Sequence, residues 1–141
     1  MASYSYVNGC YEVTTYIKDG FKRFHNCRAQ HRKIVLNDDD NIPRFIVYQF
    51  ISYATPVIQI VRDMKYDSYI VSCNENPFGY SPTTSRQISK WLHEIVTPID
   101  SYTIRHAYDV ARPVTPDIAT YHYDNVTIDF HSSFTFHNVW R

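Results

Sequence analysis

The residues best suited to hold a charged partner lie where a loop turns into a helix, around residues 80–90. We predict a contact site here whose members are polar, basic or aromatic: Tyr80, Thr83, Ser85, Arg86 and Lys90. The first turn of a helix presents free backbone amides that attract anions, and Tyr and Arg are favoured at the energetic centres of protein interfaces. The alternative interpretation is ordinary helix capping beside a solvated polar face.

The helix that carries these residues is predicted over residues 84–96. Thr84 is placed to cap it, and Gln87 three residues later completes a capping box. The apolar side chains recur at i, i+3, i+4 and i+7, and they are Ile88, Trp91, Leu92 and Ile95. This spacing predicts one apolar face packed on a sheet, which leaves Arg86 and Lys90 directed away from the core.

A second candidate contact surface is the basic segment 18–33. It holds six Lys or Arg residues and a single Asp, and the acidic run 38–40 follows it. We assign three of its residues to the partner-binding site: Lys22, Arg23 and Arg28. The alternative is a solvated surface that the acidic run neutralises.

The basic segment is predicted to form a hairpin. Asp19 and Gly20 lie between two β-prone runs, which predicts a tight turn joining strands 10–17 and 21–27. Aromatic residues are interleaved with the basic ones, and they are Tyr11, Tyr16, Phe21 and Phe24. Rings that stack on bases, beside cations that contact phosphates, are typical of single-strand binding. Nucleic-acid binding by residues 18–33 is therefore the alternative to a protein partner.

The same hairpin register places possible metal ligands on one face. They are Cys10, Glu12, His25 and Cys27, with His31 close in sequence. Two thiols and one or two imidazoles suit zinc. The chain has no Cys-x-x-Cys pair, however, and buried thiols in a reduced protein need no metal to explain them. We therefore predict no metal and no cofactor, with zinc at these residues as the alternative.

No familiar catalytic motif accompanies these surfaces. The chain has three glycines and contains no Gly-rich phosphate loop, no Gly-x-Ser-x-Gly and no His-Glu-x-x-His. His93 and Glu94 are adjacent on the predicted helix and so do not face each other, and nothing marks Cys73 as an activated thiol. The remaining candidates suit a half-exposed strand equally well: His122, Asp124, Asp129 and His131. We predict that the chain is not an enzyme.

Length and composition limit the class of protein. A chain of 141 residues, 44% of them hydrophobic, is predicted to form one domain, 1–141. A core of this size needs no disulfide bond or bound metal to stabilise it. The 14 Lys and Arg equal the 14 Asp and Glu, which argues against a surface devoted wholly to nucleic acid. Three cysteines make no disulfide framework. No apolar run suits a signal peptide or approaches the ~20 residues of a membrane span, so we expect a reduced, cytoplasmic protein.

Strand signals come in runs, with helix between them. Besides 10–17 and 21–27, strands are predicted at 44–51, 57–62, 68–73, 121–130 and 134–140. Segment 101–111 fits either a helix or an alternating strand, and we favour a helix because its length suits one and no turn residue interrupts it. This order predicts an α+β fold, an antiparallel sheet with one or two helices packed on one face.

Residues 48–96 resemble small proteins of bacteriophages and mobile elements that share a Tyr-x-Thr-Pro-Val … Tyr-Ser-x-Thr-Thr-Ser-[Lys/Arg] pattern. Here the pattern runs from Tyr53 to Val57 and from Tyr80 to Arg86, before a short amphipathic helix. The resemblance implies a phage protein that modulates its host, a class that includes anti-CRISPR inhibitors of effector nucleases. We therefore expect a non-enzymatic protein of the host cytoplasm that masks a host protein surface.

Overall fold

Strands make up most of the chain in this computed structural model, which describes residues 2–7, 10–18, 20–25, 28–74, 77–79, 81–96, 99–111, 118–131 and 134–136. The strands are β1 (Ala2–Val7), β2 (Cys10–Lys18), β3 (Lys22–Arg23), β4 (Ala29–Asn37), β5 (Pro43–Ser52), β6 (Thr55–Asp63), β7 (Ser68–Asn74), β8 (Ile118–Tyr123) and β9 (Val126–His131). The helices are α1 (Pro82–Trp91), which continues as a π-helical turn (Leu92–Val96), and α2 (Ser101–Ala111). None of these described helices has the length and apolar composition that crossing a membrane requires.

The strands form one sheet in the order β1-β2-β4-β5-β6-β7-β9-β8, and β3 pairs with β4 on the same edge as β2. Every pair is antiparallel except β7 and β9, which run parallel. A parallel pair needs a long crossover connection, and here that connection contains α1, α2 and β8. The predicted α+β class with a mostly antiparallel sheet is confirmed, whereas the parallel pair departs from the prediction.

One face of the sheet shares its buried core with the helices. Phe50, Ile58, Cys73 and Phe130 lie in register across four strands, and all are buried. The helical segments add to the same cluster Ile88, Trp91, Leu92, Val96, Ile104 and Ala107. The ring centroids of Trp91 and Phe50 are 5.0 Å apart. Residues 101–111 are thus the helix that the sequence favours.

A chain of polar side chains crosses the other face of the sheet. Arg32, Gln49 and Gln59 lie in register on β4, β5 and β6. Nε of Arg32 donates to Oε1 of Gln49 at 2.6 Å, and Nε2 of Gln49 donates to Oε1 of Gln59 at 2.7 Å. Both glutamines are buried, so these hydrogen bonds replace contacts that the amides would otherwise make with water.

The predicted hairpin of strands 10–17 and 21–27 is wrong. β2 pairs with β1 and β4, and the two-residue β3 also pairs with β4. β4 is nine residues long and buries Ile34 and Leu36, so it offers more apolar contact than the short basic segment does. Phe24 is 3% exposed and packs in the core, which excludes it from stacking on a base.

The apolar face of α1 differs from the prediction at one end. Ile88, Trp91 and Leu92 are fully buried as predicted, but Ile95 is 38% exposed and Val96 is buried in its place. The cause is the π-helical turn, because its wider turn moves the buried position from i+7 to i+8.

Two further strand predictions need correction, and two strands are absent from the prediction. Residues 121–130 contain two strands rather than one, because Asp124 and Asn125 form a tight turn between β8 and β9. β1 and β4 are missing from the sequence prediction, and in β4 the polar and basic residues of 29–33 hide the strand pattern. Residues 134–136 lie outside any strand, and the rest of the predicted last strand lies outside the described residues.

Candidate functional site

Hydroxyl groups fix the start of α1 to the end of β5. Ser81 is the N-cap, and its Oγ accepts a 3.1 Å hydrogen bond from the backbone amide of Thr84. The hydroxyls of Ser52 and Thr84 are 3.1 Å apart, and Ser52 donates to Oε1 of Gln87 at 3.2 Å. The predicted cap at Thr84 is therefore wrong. The helix begins earlier, at Pro82, because proline suits the first helical position.

Three clefts adjoin one another around this helix start and the β5–β6 turn. The first cleft, of about 500 Å³, is lined by Arg23, Arg28 and Tyr53. The second, of about 270 Å³, lies between Tyr53 and Ser81, and the third, of about 480 Å³, is lined by Ser81 and two arginines. Tyr53 and Ser81 each line two clefts, so the three form one continuous surface. We call it the basic band and define it as Arg23, Arg28, Tyr53, Ser81, Arg86 and Arg105.

The arginines of the basic band have no ionic partner among the described residues. Arg23, Arg28 and Arg86 make no salt bridge or side-chain hydrogen bond there. The guanidinium of Arg105 lies over the ring of Phe78, 4.4 Å from its centroid. None of the described residues that line the three clefts is acidic. Clefts lined by charge of one sign concentrate ions of the opposite sign.

The opposite end of the sheet is acidic. Its turns and strand ends carry Asp38, Asp39, Asp40, Asp63, Asp67 and Asp124. The arginines at this end are neutralised, because Arg44 pairs with the buried Asp63, and Arg62 pairs with Asp67 at 3.4 Å. β5 spans ten residues, which corresponds to about 30 Å between the two ends. The net charge of zero therefore conceals one basic and one acidic end.

Tyr53 lies at the centre of the basic band in an unusual backbone conformation. Tyr53 and Ala54 form the two-residue turn between β5 and β6, with Ser52 opposite Thr55. Their φ angles are 50° and 68°, values that such hairpin turns require and that Asn and Gly adopt most easily. The Tyr53 side chain is 53% exposed, and its backbone amide donates to the carbonyl of Arg28 at 2.9 Å. The turn thus holds a large ring at the surface between two clefts.

Most of the predicted contact residues belong to this surface. Five of the eight line the three clefts: Arg23, Arg28, Thr83, Ser85 and Arg86. Lys90 is exposed further along α1, Lys22 lines a separate cleft, and Tyr80 lies outside the described residues. The sequence prediction omits Tyr53 and Arg105. Tyr53 could have been found in the sequence, because a Tyr-Ala pair between two predicted strands is unusual at a hairpin turn. Arg105 could not, because only the fold brings it beside the start of α1.

The separate cleft, of about 350 Å³, lies near the π-helical turn and has mixed charge. Its wall includes Lys22 and Glu94. Nε2 of His25 and Oε2 of Glu94 are 2.6 Å apart, and this hydrogen bond lowers the pKa of Glu94. Burial lowers the pKa of His31, and the neighbouring Lys22 and His25 lower it further. A carboxylate in the wall makes this cleft less suited to an anion than the basic band.

The described strands lack the pairing on which the alternative zinc site depends. Its hairpin register is not formed, and His25 is hydrogen-bonded to Glu94. The side chain of Cys10 and the whole of Cys27 lie outside the described residues. Within the part of the chain that is described, no three His, Cys, Asp or Glu side chains are grouped to hold a metal ion.

The candidate catalytic side chains make contacts that suit a sheet. Burial raises the pKa of the Cys73 thiol far above its ordinary value, which keeps the thiol protonated and unreactive. Oδ1 of Asp129 accepts a 2.8 Å hydrogen bond from Thr120 on the neighbouring strand. Nδ1 of His122 is 3.0 Å from the hydroxyl of Thr127. Each of these groups is thus engaged by its own sheet neighbours.

Comparison with known proteins assigns no relative. No protein-family model matches the chain, and neither the curated proteins nor the solved structures give a match. The basic band is therefore the feature from which a function can be inferred.

Proposed function

We propose that this protein is a non-enzymatic binding protein whose basic band covers an acidic surface of a partner protein. One observation carries the proposal. Arginines that have no ionic partner among the described residues, together with hydroxyl groups, surround three adjoining clefts whose described lining contains no acidic residue. The sheet and the helices form the rigid support that fixes these groups in place.

The arginines of the band are well prepared for an interface. Arg23, Arg28 and Arg86 have no described salt bridge to lose when they bind, so each can form a charge-assisted hydrogen bond with a carboxylate without first breaking a described ion pair. Arg and Tyr are also the residues most enriched at interface hot spots. The free amides and the dipole at the start of α1 add to the attraction for negative charge.

The proposed partner is a host protein, and the resemblance to phage and mobile-element proteins supports this choice. The segment that carries the resemblance, residues 48–96, contains three of the six members of the basic band: Tyr53, Ser81 and Arg86. As in anti-CRISPR inhibitors, the proposed target is an effector nuclease of the host cytoplasm.

The chemistry of the band supports binding rather than catalysis. Its polar side chains are guanidinium groups, hydroxyls, a phenol and one amide. No imidazole, thiol or carboxylate is among the described residues lining the three clefts, so these residues supply no ordinary general base or thiol nucleophile. Such a surface holds anions and orients them.

Nucleic-acid binding is the second candidate, and the exposed ring of Tyr53 favours it. The ring lies between an arginine-lined cleft and a hydroxyl-lined cleft, an arrangement that allows a base to stack while its phosphates contact the arginines. The two candidates differ in salt dependence, because neutralising several phosphates makes affinity fall steeply as salt rises.

Affinity capture from host lysate, with and without nuclease treatment, tests the proposal. The variant is Arg28→Glu/Arg86→Glu, which reverses two charges in the basic band. The matched control is Lys33→Glu/Lys65→Glu, which reverses two exposed charges outside it. All of these side chains are exposed, so both variants should keep the wild-type melting temperature.

We expect a protein partner that survives nuclease treatment, is lost in the band variant and is kept in the control. A partner that disappears with nuclease supports the second candidate. Equal capture by the band variant and wild type would exclude the basic band as the contact surface, and equal loss in both variants would show that only overall charge matters.

A further inference from the structure

The first cleft of the basic band is built differently from the other two. Arg23, Arg28 and Gln30 supply its polar groups, and Tyr53 stands at its edge. Ala29 and Ile51 also line it, and Ala29 is buried while Ile51 is half-buried, so part of the wall is apolar. Its volume of about 500 Å³ falls in the range of small-molecule sites, about 300–1,000 Å³.

The two arginines form the anion-binding half of a site. Arg23, the last residue of β3, and Arg28, which directly precedes β4, line the same cleft, and neither has an ionic partner among the described residues. A guanidinium group matches the oxygens of a phosphate through two parallel hydrogen bonds. Two such groups at one cleft suit a doubly charged phosphate better than a single carboxylate.

Tyr53 supplies the other half. The positive φ angle at this position favours Asn or Gly, yet the chain places a large ring here and leaves it 53% exposed. Residues held in sparsely populated backbone conformations cluster at binding sites. An exposed ring beside a phosphate-binding pair is a platform on which a base can stack. The amide of Gln30 can both donate and accept a hydrogen bond at a base edge.

We propose that the first cleft binds a nucleoside monophosphate, with the phosphate on Arg23 and Arg28 and the base on Tyr53. An inorganic phosphate would leave the ring and the apolar wall unused, and an acidic peptide would not need a stacking surface. This site goes beyond the proposed function, because the nucleotide is a ligand in its own right and not a part of the partner's surface.

Isothermal titration calorimetry of the purified full chain tests the site with three separate probes: AMP, adenosine and inorganic phosphate. The variants are Tyr53→Asn and Arg28→Gln. Arg86→Gln is the matched control, because Arg86 lines the third cleft and not the first. Melting temperatures are measured alongside, and Tyr53→Asn should melt no lower than wild type because Asn tolerates the φ of this turn.

We expect one AMP per chain, bound at least about tenfold more tightly than adenosine or phosphate. Tyr53→Asn and Arg28→Gln should each weaken AMP binding by about tenfold, and Arg86→Gln should leave it unchanged. The proposal would be overturned if AMP bound no more tightly than inorganic phosphate. It would also be overturned if Tyr53→Asn bound AMP with wild-type affinity. An equal loss of AMP affinity in Arg86→Gln would also overturn it, because the whole basic band and not the first cleft would then attract the nucleotide.

A single-stranded oligonucleotide that binds and that AMP does not displace would also overturn the proposal, in favour of strand binding. The failure of this site is distinguishable from the failure of the proposed function. AMP titration involves no partner protein, and partner capture uses no nucleotide, so either result can be negative while the other is positive.

Discussion

The two ends of the sheet carry similar side chains in opposite arrangements. At the acidic end, Arg44 is paired with Asp63 and Arg62 with Asp67. At the basic end, the arginines have no described ionic partner. The same residue type therefore holds the fold together at one end and is left available to a ligand at the other.

This difference separates stability from binding along about 30 Å of strand. A buried charge pair is strongly sensitive to the loss of one partner, whereas an exposed charge contributes little to folding. Substitutions of arginine at the acidic end should therefore change stability, and substitutions of arginine at the basic end should change binding.

The largest effect is expected at the acidic end, from Arg44→Met. Arg44 and Asp63 are 4% and 6% exposed, so the substitution leaves a buried carboxylate without its main partner and should cost about 3–5 kcal/mol. Urea unfolding at neutral pH measures it. In the double variant Arg44→Met/Asp63→Asn the uncompensated charge is removed, and much of the loss should return. A loss below about 1 kcal/mol in Arg44→Met would show that this pair does not stabilise the acidic end.

The second effect, opposite in sign, is expected from the β5–β6 turn at the basic end. Tyr53→Asn with Ala54→Gly replaces two residues at positive φ by those that adopt it most easily. We expect a gain of about 1–2 kcal/mol in the free energy of unfolding, because residues other than Gly, Asn and Asp are strained at positive φ. Thermal and urea unfolding should agree. A loss of stability would mean that the Tyr53 ring contributes to packing. The basic end would then also stabilise the fold, as the acidic end does.

A smaller effect is expected at His31, near the basic end of β4. Its pKa is lowered in the folded protein, so the unfolded chain binds a proton more readily than the folded one. The contribution of neutral His31 to the free energy of unfolding should therefore be fully present above about pH 6.5 and decrease as the pH falls below that value. Urea midpoints from pH 7.5 to 5.5 should fall less steeply in His31→Gln than in wild type. Parallel slopes would contradict this. Glu94 does not interfere, because its lowered pKa acts in a more acidic range.

The smallest effect is expected from the basic-band arginines that have no ionic partner among the described residues. Arg23→Gln and Arg86→Gln remove exposed charges that make no described internal contact, so each should change the free energy of unfolding by no more than about 0.5 kcal/mol. The comparison variant Arg44→Gln tests the same chemical change at the acidic end. A destabilisation at Arg23 or Arg86 similar to that at Arg44 would remove the distinction between the ends.

Local patterns predict the parts of this fold that depend on neighbouring residues. The periodicity of α1 correctly predicts the burial of Ile88, Trp91 and Leu92. It fails at Ile95, because a switch to π-helical geometry is decided by packing and leaves no periodic signal. The Asp19–Gly20 hairpin fails for a similar reason, since strand pairing is decided by competition with the more distant β4.

The candidate site is partly visible in the sequence. Arg23, Arg28 and Arg86 can be selected as unusual basic residues, but their membership in one surface depends on the order of strands in the sheet. Arg105 joins them only because α2 follows α1 within the crossover to β9. The separation of charge into two ends also requires the topology, because the basic segment and the acidic run 38–40 are adjacent in sequence.

The polar chain from Arg32 through Gln49 to Gln59 has a consequence for the accuracy of folding. A slip of β5 by one residue would exchange its two faces and place the Gln49 amide among the aliphatic and aromatic groups of the helix-side core. That amide would then be buried without partners, at a cost of roughly 1–3 kcal/mol. A strand with two apolar faces lacks this penalty, whereas here a register that separates Gln49 from Arg32 and Gln59 carries it. The native register determines where β5 ends and the β5–β6 turn begins. It therefore places Tyr53 beside Arg28.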